Sequence, residues 1–218
     1  SFHDDGQQQS GMVVLYKGSS QGLIAAGPFL LGNDGERLGA ALAGADVNGD
    51  GYSDLIVGRP GWRDVGGRIR GRVEVYGGSP TGPDRFAEWA LIGALDARNF
   101  GENVARAGDV NGDGYDDILI QQVSPPGSFA ESRGRVMLFL GSADGLGAAP
   151  VWSKDGVSAG ESFGVSLVSI GDVNADGFQD FVLQSLQLKM RAGANHSGVP
   201  YSLAALCPSS VKIQFSLK

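Results

Sequence analysis

Asp46-Val-Asn-Gly-Asp-Gly-Tyr-Ser-Asp54 recurs as Asp109-Val-Asn-Gly-Asp-Gly-Tyr-Asp-Asp117 and again as Asp172-Val-Asn-Ala-Asp-Gly-Phe-Gln-Asp180, at an interval of 63 residues both times. Each copy carries side-chain oxygens at positions 1, 3, 5 and 9, a glycine at position 6 and an aromatic residue at position 7. Alternate residues of a tight loop can turn their oxygens inward, and calcium takes six to eight oxygen ligands at about 2.3–2.6 Å. The first loop would bind through Asp46, Asn48, Asp50, the Tyr52 carbonyl and Asp54. The second would use Asp109, Asn111, Asp113, the Tyr115 carbonyl and Asp117, and the third Asp172, Asn174, Asp176, the Phe178 carbonyl and Asp180. Three Ca²⁺ sites are therefore expected. Magnesium fits less well, because it demands a small octahedron and retains water. An Asp/Asn/Gly-rich turn can also form without metal, but three copies with every ligand position filled favour the metal.

The residues after each loop exclude the helical calcium module. An EF-hand runs into a helix with Glu at position 12, whereas Leu55-Ile-Val, Ile118-Leu-Ile and Phe181-Val-Leu follow here. These runs read as buried strands. Each loop is then the tip of a β-hairpin, with Asp54, Asp117 and Asp180 expected to close the site in a bidentate manner.

A period of 63 residues suits one four-stranded propeller blade. The first full unit reads as a strand after Leu38-Gly39, the loop, Leu55-Ile-Val-Gly58, Gly71-Arg-Val-Glu-Val-Tyr76, the turn Gly78-Ser-Pro-Thr-Gly82, and Ala87-Glu-Trp-Ala-Leu-Ile92. The expected fold is all-β, a β-propeller of about three blade equivalents. Residues 1–36 supply the last strands of a preceding blade, and blades follow at 37–99, 100–162 and 163–218. The last has a clear first half and a divergent second: a shift of 63 places weak strand candidates at Val199–Ser202 and Gln214–Phe215, and Leu186 to Gly198 reads as an insertion or tail.

Phe-Gly ahead of the first strand, the DxNxDGxxD loop, Gly58-Arg59-Pro60 in place of Gly-Ala-Pro and a following Gly-x-Val strand together resemble the FG-GAP repeat of integrin α-chain propellers, over roughly Met12 to Leu183. Leu38 stands for Phe in the first unit, and Gln121-Gln122 and Gln184-Ser185 stand where the other units lack Gly-x-Pro. The resemblance implies a seven-bladed propeller with structural calcium on one face and ligands on the other. It implies an extracellular or cell-surface module that binds protein or glycan and is not an enzyme. The alternative is the non-catalytic propeller of a larger secreted enzyme, such as a phospholipase or polysaccharide-active hydrolase.

About three blades leave open ends, and closed propellers have four to eight. The chain is a fragment of a longer propeller, an open arc, or part of a ring closed by self-association, and the fragment is favoured. Ser1 opens the chain without Met or a signal-peptide core, which implies a removed leader or a piece of something longer.

Net charge is −7 with nine aspartates at ligand positions, so three Ca²⁺ would cancel most of it. The acidity argues against nucleic acid as partner, and no apolar run approaches the roughly 18 residues of a membrane-spanning helix. The single cysteine, Cys207, excludes an internal disulfide framework and reads as apolar filler.

Other motifs read as structural. Gly18-Ser-Ser-Gln-Gly22 matches a nucleophile elbow centred on Ser20, yet its counterparts put Pro80 and Ala143 at that position, so it is a repeated turn. His3 and His196 sit in no ligand pattern, and Asn195-His-Ser197 is a glycosylation sequon. Arg68, Arg70, Arg72, Arg133 and Arg135 read as solvated edge charges rather than a rim for an acidic partner. Tyr52, Tyr115 and Phe178 are expected to pack beneath their own loops, and Trp89 and Trp152 between blades.

Overall fold

The computed structural model describes residues 9–94, 98–123, 133–157, 161–187 and 211–213. His3, His196, the sequon at 195–197, Cys207 and the strand candidates at 199–202 and 214–215 lie outside them. The described residues form strands and turns without a helix.

Strands β1 (Met12–Ser19) and β2 (Gly22–Leu31) pair as a hairpin closed by Ser20-Gln21. β3 (Leu42–Ala45), β4 (Asp54–Arg59), β5 (Arg72–Tyr76) and β6 (Trp89–Ile92) form a four-stranded sheet in sequential order. β7 (Arg98–Gly108), β8 (Asp117–Val123), β9 (Arg135–Phe139) and β10 (Trp152–Asp155) repeat it. β11 (Glu161–Gly171) and β12 (Asp180–Gln187) begin a third, in which β13 (Val211–Ile213) pairs with Phe181–Leu183. Among the described residues every strand pairing within a sheet is antiparallel, a series of up-and-down meanders, and an isolated parallel bridge joins Gly71 to Phe100. This is an all-β architecture of unclosed propeller sheets. Leu186 and Gln187, read from the sequence as outside the pattern, continue β12.

Side chains alternate between the faces of a strand, and each inner sheet is apolar on both. Val73 and Val75 of β5 point toward the next sheet, where they meet Phe100, Ile118, Ile120 and Phe139. Tyr76, on the opposite face, joins Val13, Leu38 and Val57 against the first hairpin. Leu119, Val136 and Leu138 meet Phe163, Phe181 and Leu183 of the third sheet. Trp89 and Trp152 each pack edge-on against a phenylalanine of the following sheet, with centroids 6.1 Å from Phe139 and 6.2 Å from Phe181, as the repeat position predicts. Leu38 is 3% exposed and takes the place a Phe holds in the later units.

The sheets are also stitched by backbone. The amides of Leu38, Phe100 and Phe163 donate to the carbonyls of Ser10, Arg70 and Arg133 at 3.0, 3.4 and 3.2 Å. The next residue in each case is Gly11, Gly71 or Gly134, with φ of 81°, 78° and 72°. A Cβ there would overlap backbone atoms of the following unit, so glycine both permits the turn and leaves room for the seam. Gln121, where the first unit has Gly58, is 3% exposed; its Nε2 donates to the Phe163 carbonyl at 2.8 Å and its Oε1 accepts from Asn103 at 2.7 Å. This departure from the family pattern thus makes its own inter-sheet bond.

Candidate metal centres

The three acidic loops join β3 to β4, β7 to β8 and β11 to β12, at the same end of each sheet. In the first, Asp46 Oδ1 accepts from the amides of Gly49 and Asp50 at 2.8 and 3.1 Å, and Oδ2 from Gly51 at 2.9 Å. Asn48 Oδ1 accepts from Asp50 N at 3.0 Å and Asp50 Oδ1 from Tyr52 N at 2.8 Å. The second loop repeats the set with Asp109, Asn111 and Asp113, and the third repeats all but the position-4 amide bond with Asp172, Asn174 and Asp176. Side chains 1, 3 and 5 are therefore turned into the concave side of the loop by its own backbone. The position-6 glycines have φ of 87°, 92° and 92°, the left-handed bend that glycine adopts without a steric penalty.

Position 9 behaves differently. Asp54 is 1% exposed, its Oδ2 accepting from Val47 N at 2.9 Å and its Oδ1 from Gly78 N at 2.8 Å. Asp117, 0% exposed, accepts from Val110 N at 2.8 Å and Gly141 N at 2.9 Å. Asp180 accepts from Val173 N at 3.1 Å. Asp54 and Asp117 thus brace their loops against the Gly-Ser turns that follow β5 and β9, and Asp180 holds its own loop. Burial pushes Asp54 above the ordinary aspartate range and Asp117 up to about 6, against the N–H groups that favour the charged form.

Among the described residues, no three of His, Cys, Asp or Glu converge closely enough to hold an ion by themselves. The physical reason is the inward turn of position 9 and the reliance of the pattern on Asn and a backbone carbonyl. The donor set nonetheless fits a hard cation. Every donor is an oxygen, and a carboxylate oxygen has two lone pairs. Among the described residues, Asp46 Oδ2, Asp50 Oδ1 and both oxygens of Asp54 each accept a single N–H, so each retains capacity for a second partner.

The rings of Tyr115 and Phe178 do not sit beneath their own loops. A Cβ on Gly49 would lie 2.7 Å from Tyr115 Cε1, and one on Gly112 3.1 Å from Phe178 Cε1, so each ring lies on the glycine at position 4 of the preceding loop. Tyr52 is 44% exposed.

The Gly18-Ser-Ser-Gln-Gly22 motif is a turn, as its repetition implied. Ser19, Ser79 and Ser142 hydroxyls donate to the carbonyls of Gly22, Gly82 and Gly145 at 2.8, 2.6 and 2.8 Å. Several arginines have specific partners, among them Arg70, Arg72 and Arg135, which the sequence reads as edge charges. Arg59 and Arg72 place Nε 2.8 and 3.0 Å from the two oxygens of Glu74, which is 4% exposed. Both contacts lie off the hydrogen-bonding direction and are ionic. Tyr76 Oη donates to Glu74 at 2.7 Å, and Arg72 lies over the Trp62 ring. Burial and Glu74 push the Tyr76 phenol up to about 12. Arg70 donates to the Gly93 carbonyl, and Arg135 pairs with Asp155.

Residues 38–76, the unit that holds the first loop and Gly58-Arg59-Pro60, match the FG-GAP repeat family model. The chain is an FG-GAP repeat protein. It is 33% identical to integrin alpha-4 of Xenopus laevis over 184 residues, covering 81% of this chain and 17% of that protein. It is 31% identical to integrin alpha pat-2 of Caenorhabditis elegans over 193 residues, 82% of this chain and 16% of the relative. With human integrin alpha-6 it shares 30% over 179 residues, 81% of this chain and 15% of the relative. The chain thus spans about a sixth of the length of these relatives, and over that span it is an integrin α-like FG-GAP domain. No helix among the described residues is long and apolar enough to cross a membrane.

The pattern of ligand positions left two residues unnoticed. Asp116 and Gln179, at position 8, join adjacent loops. Their only sequence signal is that position 8 is polar in all three copies, as Ser53, Asp116 and Gln179.

Proposed function

We propose that this chain is a calcium-stabilised propeller segment, with blade units starting near residues 37, 100 and 163, that serves extracellular or cell-surface recognition of a protein or glycan. One observation carries the reading: three loops at the same end of successive sheets turn the same oxygen set, positions 1, 3 and 5, into their concave sides. The calcium ligands proposed are Asp46, Asn48, Asp50, the Tyr52 carbonyl and Asp54, with Asp109, Asn111, Asp113, the Tyr115 carbonyl and Asp117 in the second loop and Asp172, Asn174, Asp176, the Phe178 carbonyl and Asp180 in the third.

Calcium acts here on the fold. At about 1 mM ion and a Kd near 0.1 mM, within the range of extracellular modules, each site adds about 1.4 kcal/mol. The partner then meets the opposite end, where the 59–71 connection presents Arg63, Arg68 and the fully exposed Val65. The chain's own role is binding rather than catalysis, in keeping with the integrin α relatives.

Calorimetric titration tests the metal assignment. Calcium is expected to fill three equivalents in the unaltered chain and two in each of Asp50→Ala, Asp113→Ala and Asp176→Ala. Retention of three equivalents in all three variants would remove these loops as the sites.

A further inference from the structure

The loops are not independent of one another. Asp46 N donates to Asp116 Oδ2 at 2.9 Å, and Asp116 N donates back to the Asp46 carbonyl at 2.9 Å. Asp116 is 9% exposed, and its Oδ1 is held 2.8 Å from Arg106 Nη2. Ser142 N adds a bond to the Val47 carbonyl at 3.0 Å. The second and third loops repeat the link in thinner form, with Gln179 N donating to the Asp109 carbonyl at 3.0 Å. The rings of Tyr115 and Phe178 lie on Gly49 and Gly112 alongside these bonds.

The residues joined are the informative part. Asp46 and Asp109 open their loops as the first ligand residue. Asp116 and Gln179 stand between the position-7 carbonyl and the position-9 carboxylate of the next loop. Fixing the first ligand of one loop therefore fixes the backbone between the last two ligands of its neighbour. A group that orders one partner of such a link lowers the ordering cost of the other, which is positive coupling between the sites.

We propose that calcium fills the loops cooperatively in series, with Asp116 as the positioning residue that couples the first loop to the second. This rests on the calcium reading above. Asp116 itself is no ligand. The link between the first two loops, with a reciprocal pair of bonds and an ion pair, is the stronger one; the link to the third loop is the weaker. The array also stops at the third loop in this form. Position 4 there is Ala175, at φ 57°, and its methyl occupies the place where Gly49 and Gly112 admit the next aromatic ring.

The test is calcium titration calorimetry on the full chain, with far-UV circular dichroism to verify folding. The unaltered chain is expected to take up three equivalents with a Hill coefficient above 1. A chain reduced to its first loop by Asp113→Ala and Asp176→Ala should bind one equivalent at least about fivefold more weakly than the intact array. Asp116→Ala should retain three equivalents and lose the cooperativity of the first two, and Ser53→Ala should leave it unchanged. Asp116→Asn retains an acceptor for Asp46 N without the charge, and should remain cooperative. Amide hydrogen exchange gives a second readout: loading the second loop should slow exchange at Asp46 in the intact chain and not in Asp116→Ala. Independent filling of three equivalents in the unaltered chain, or cooperativity retained in Asp116→Ala, would overturn the coupling alone. A chain that takes up no calcium would remove the calcium reading with it.

Discussion

The inner sheets and the outer ones carry equivalent residues in different surroundings. Val47 and Val110, one position into the first and second loops, are 2% and 6% exposed, while Val173 in the third is 50% exposed. Met137 and Phe139 of β9 are buried, yet their counterparts Val14 and Tyr16 on β1 stand 37% and 59% exposed. The strands are alike in sequence pattern; what differs is whether another sheet lies against them. A blade here does not bury its own faces. Its stability is a property of the interfaces on either side, as in repeat proteins generally.

Substitutions at matched positions should break or sharpen that contrast. The largest effect is expected at Phe139, which is 0% exposed and packs against Trp89. Phe139→Ala should cost about 3–5 kcal/mol in urea unfolding, whereas Tyr16→Ala should cost less than about 1 kcal/mol. Equal losses would refute the claim that the interface, rather than the strand, supplies the stabilisation.

Next in size is the buried ion cluster. Glu74→Gln removes the charge that faces Arg59 and Arg72, and should cost about 3 kcal/mol because the guanidinium groups are left in a poorly solvated site. The rim pair of Arg135 with Asp155, whose side chains are 44% and 52% exposed, should yield under about 1 kcal/mol on Arg135→Ala. Gly71→Ala follows, at about 2 kcal/mol, since the new methyl meets the Phe100 backbone at a positive φ. Gly145→Ala has the same sign of φ with open space around it, and should cost less.

The remaining effect is one of protonation. Asp117 is pushed up to about 6. Its folded form holds the proton more tightly than the unfolded chain does, so its contribution to stability is complete below the ordinary aspartate range and is lost as pH rises through about 6. Carbon-detected NMR on calcium-free protein should place its midpoint near 6. A midpoint near 4 would contradict the burial argument.

Much of this was legible in the sequence, for definite reasons. A 63-residue interval with alternating apolar strands forces repeated sheets, and Phe181-Val-Leu after the third loop left no room for a helix. Trp89 and Trp152, one interval apart, pointed to a shared packing site. The links between loops were not legible, because Asp116 and Gln179 share no residue type and the bond common to both links is made by backbone groups. The ion cluster was hidden for a related reason: Arg72, two residues from Glu74 on β5, alternates with apolar residues like any edge charge, and only the register of β4 against β5, which pairs Arg59 with Arg72, brings Arg59 to Glu74 as well. The rings of Tyr115 and Phe178 were assigned to the wrong loop because spacing along the chain says nothing of the neighbouring blade.

Thermal melting in 1 mM calcium against the same buffer with excess chelator tests the central claim most directly. Three sites at about 1.4 kcal/mol each predict a Tm lower by roughly 10 °C in chelator for a domain of this size. Superimposable melts would contradict the reading of the three acidic loops as cation sites that hold the sheets in place.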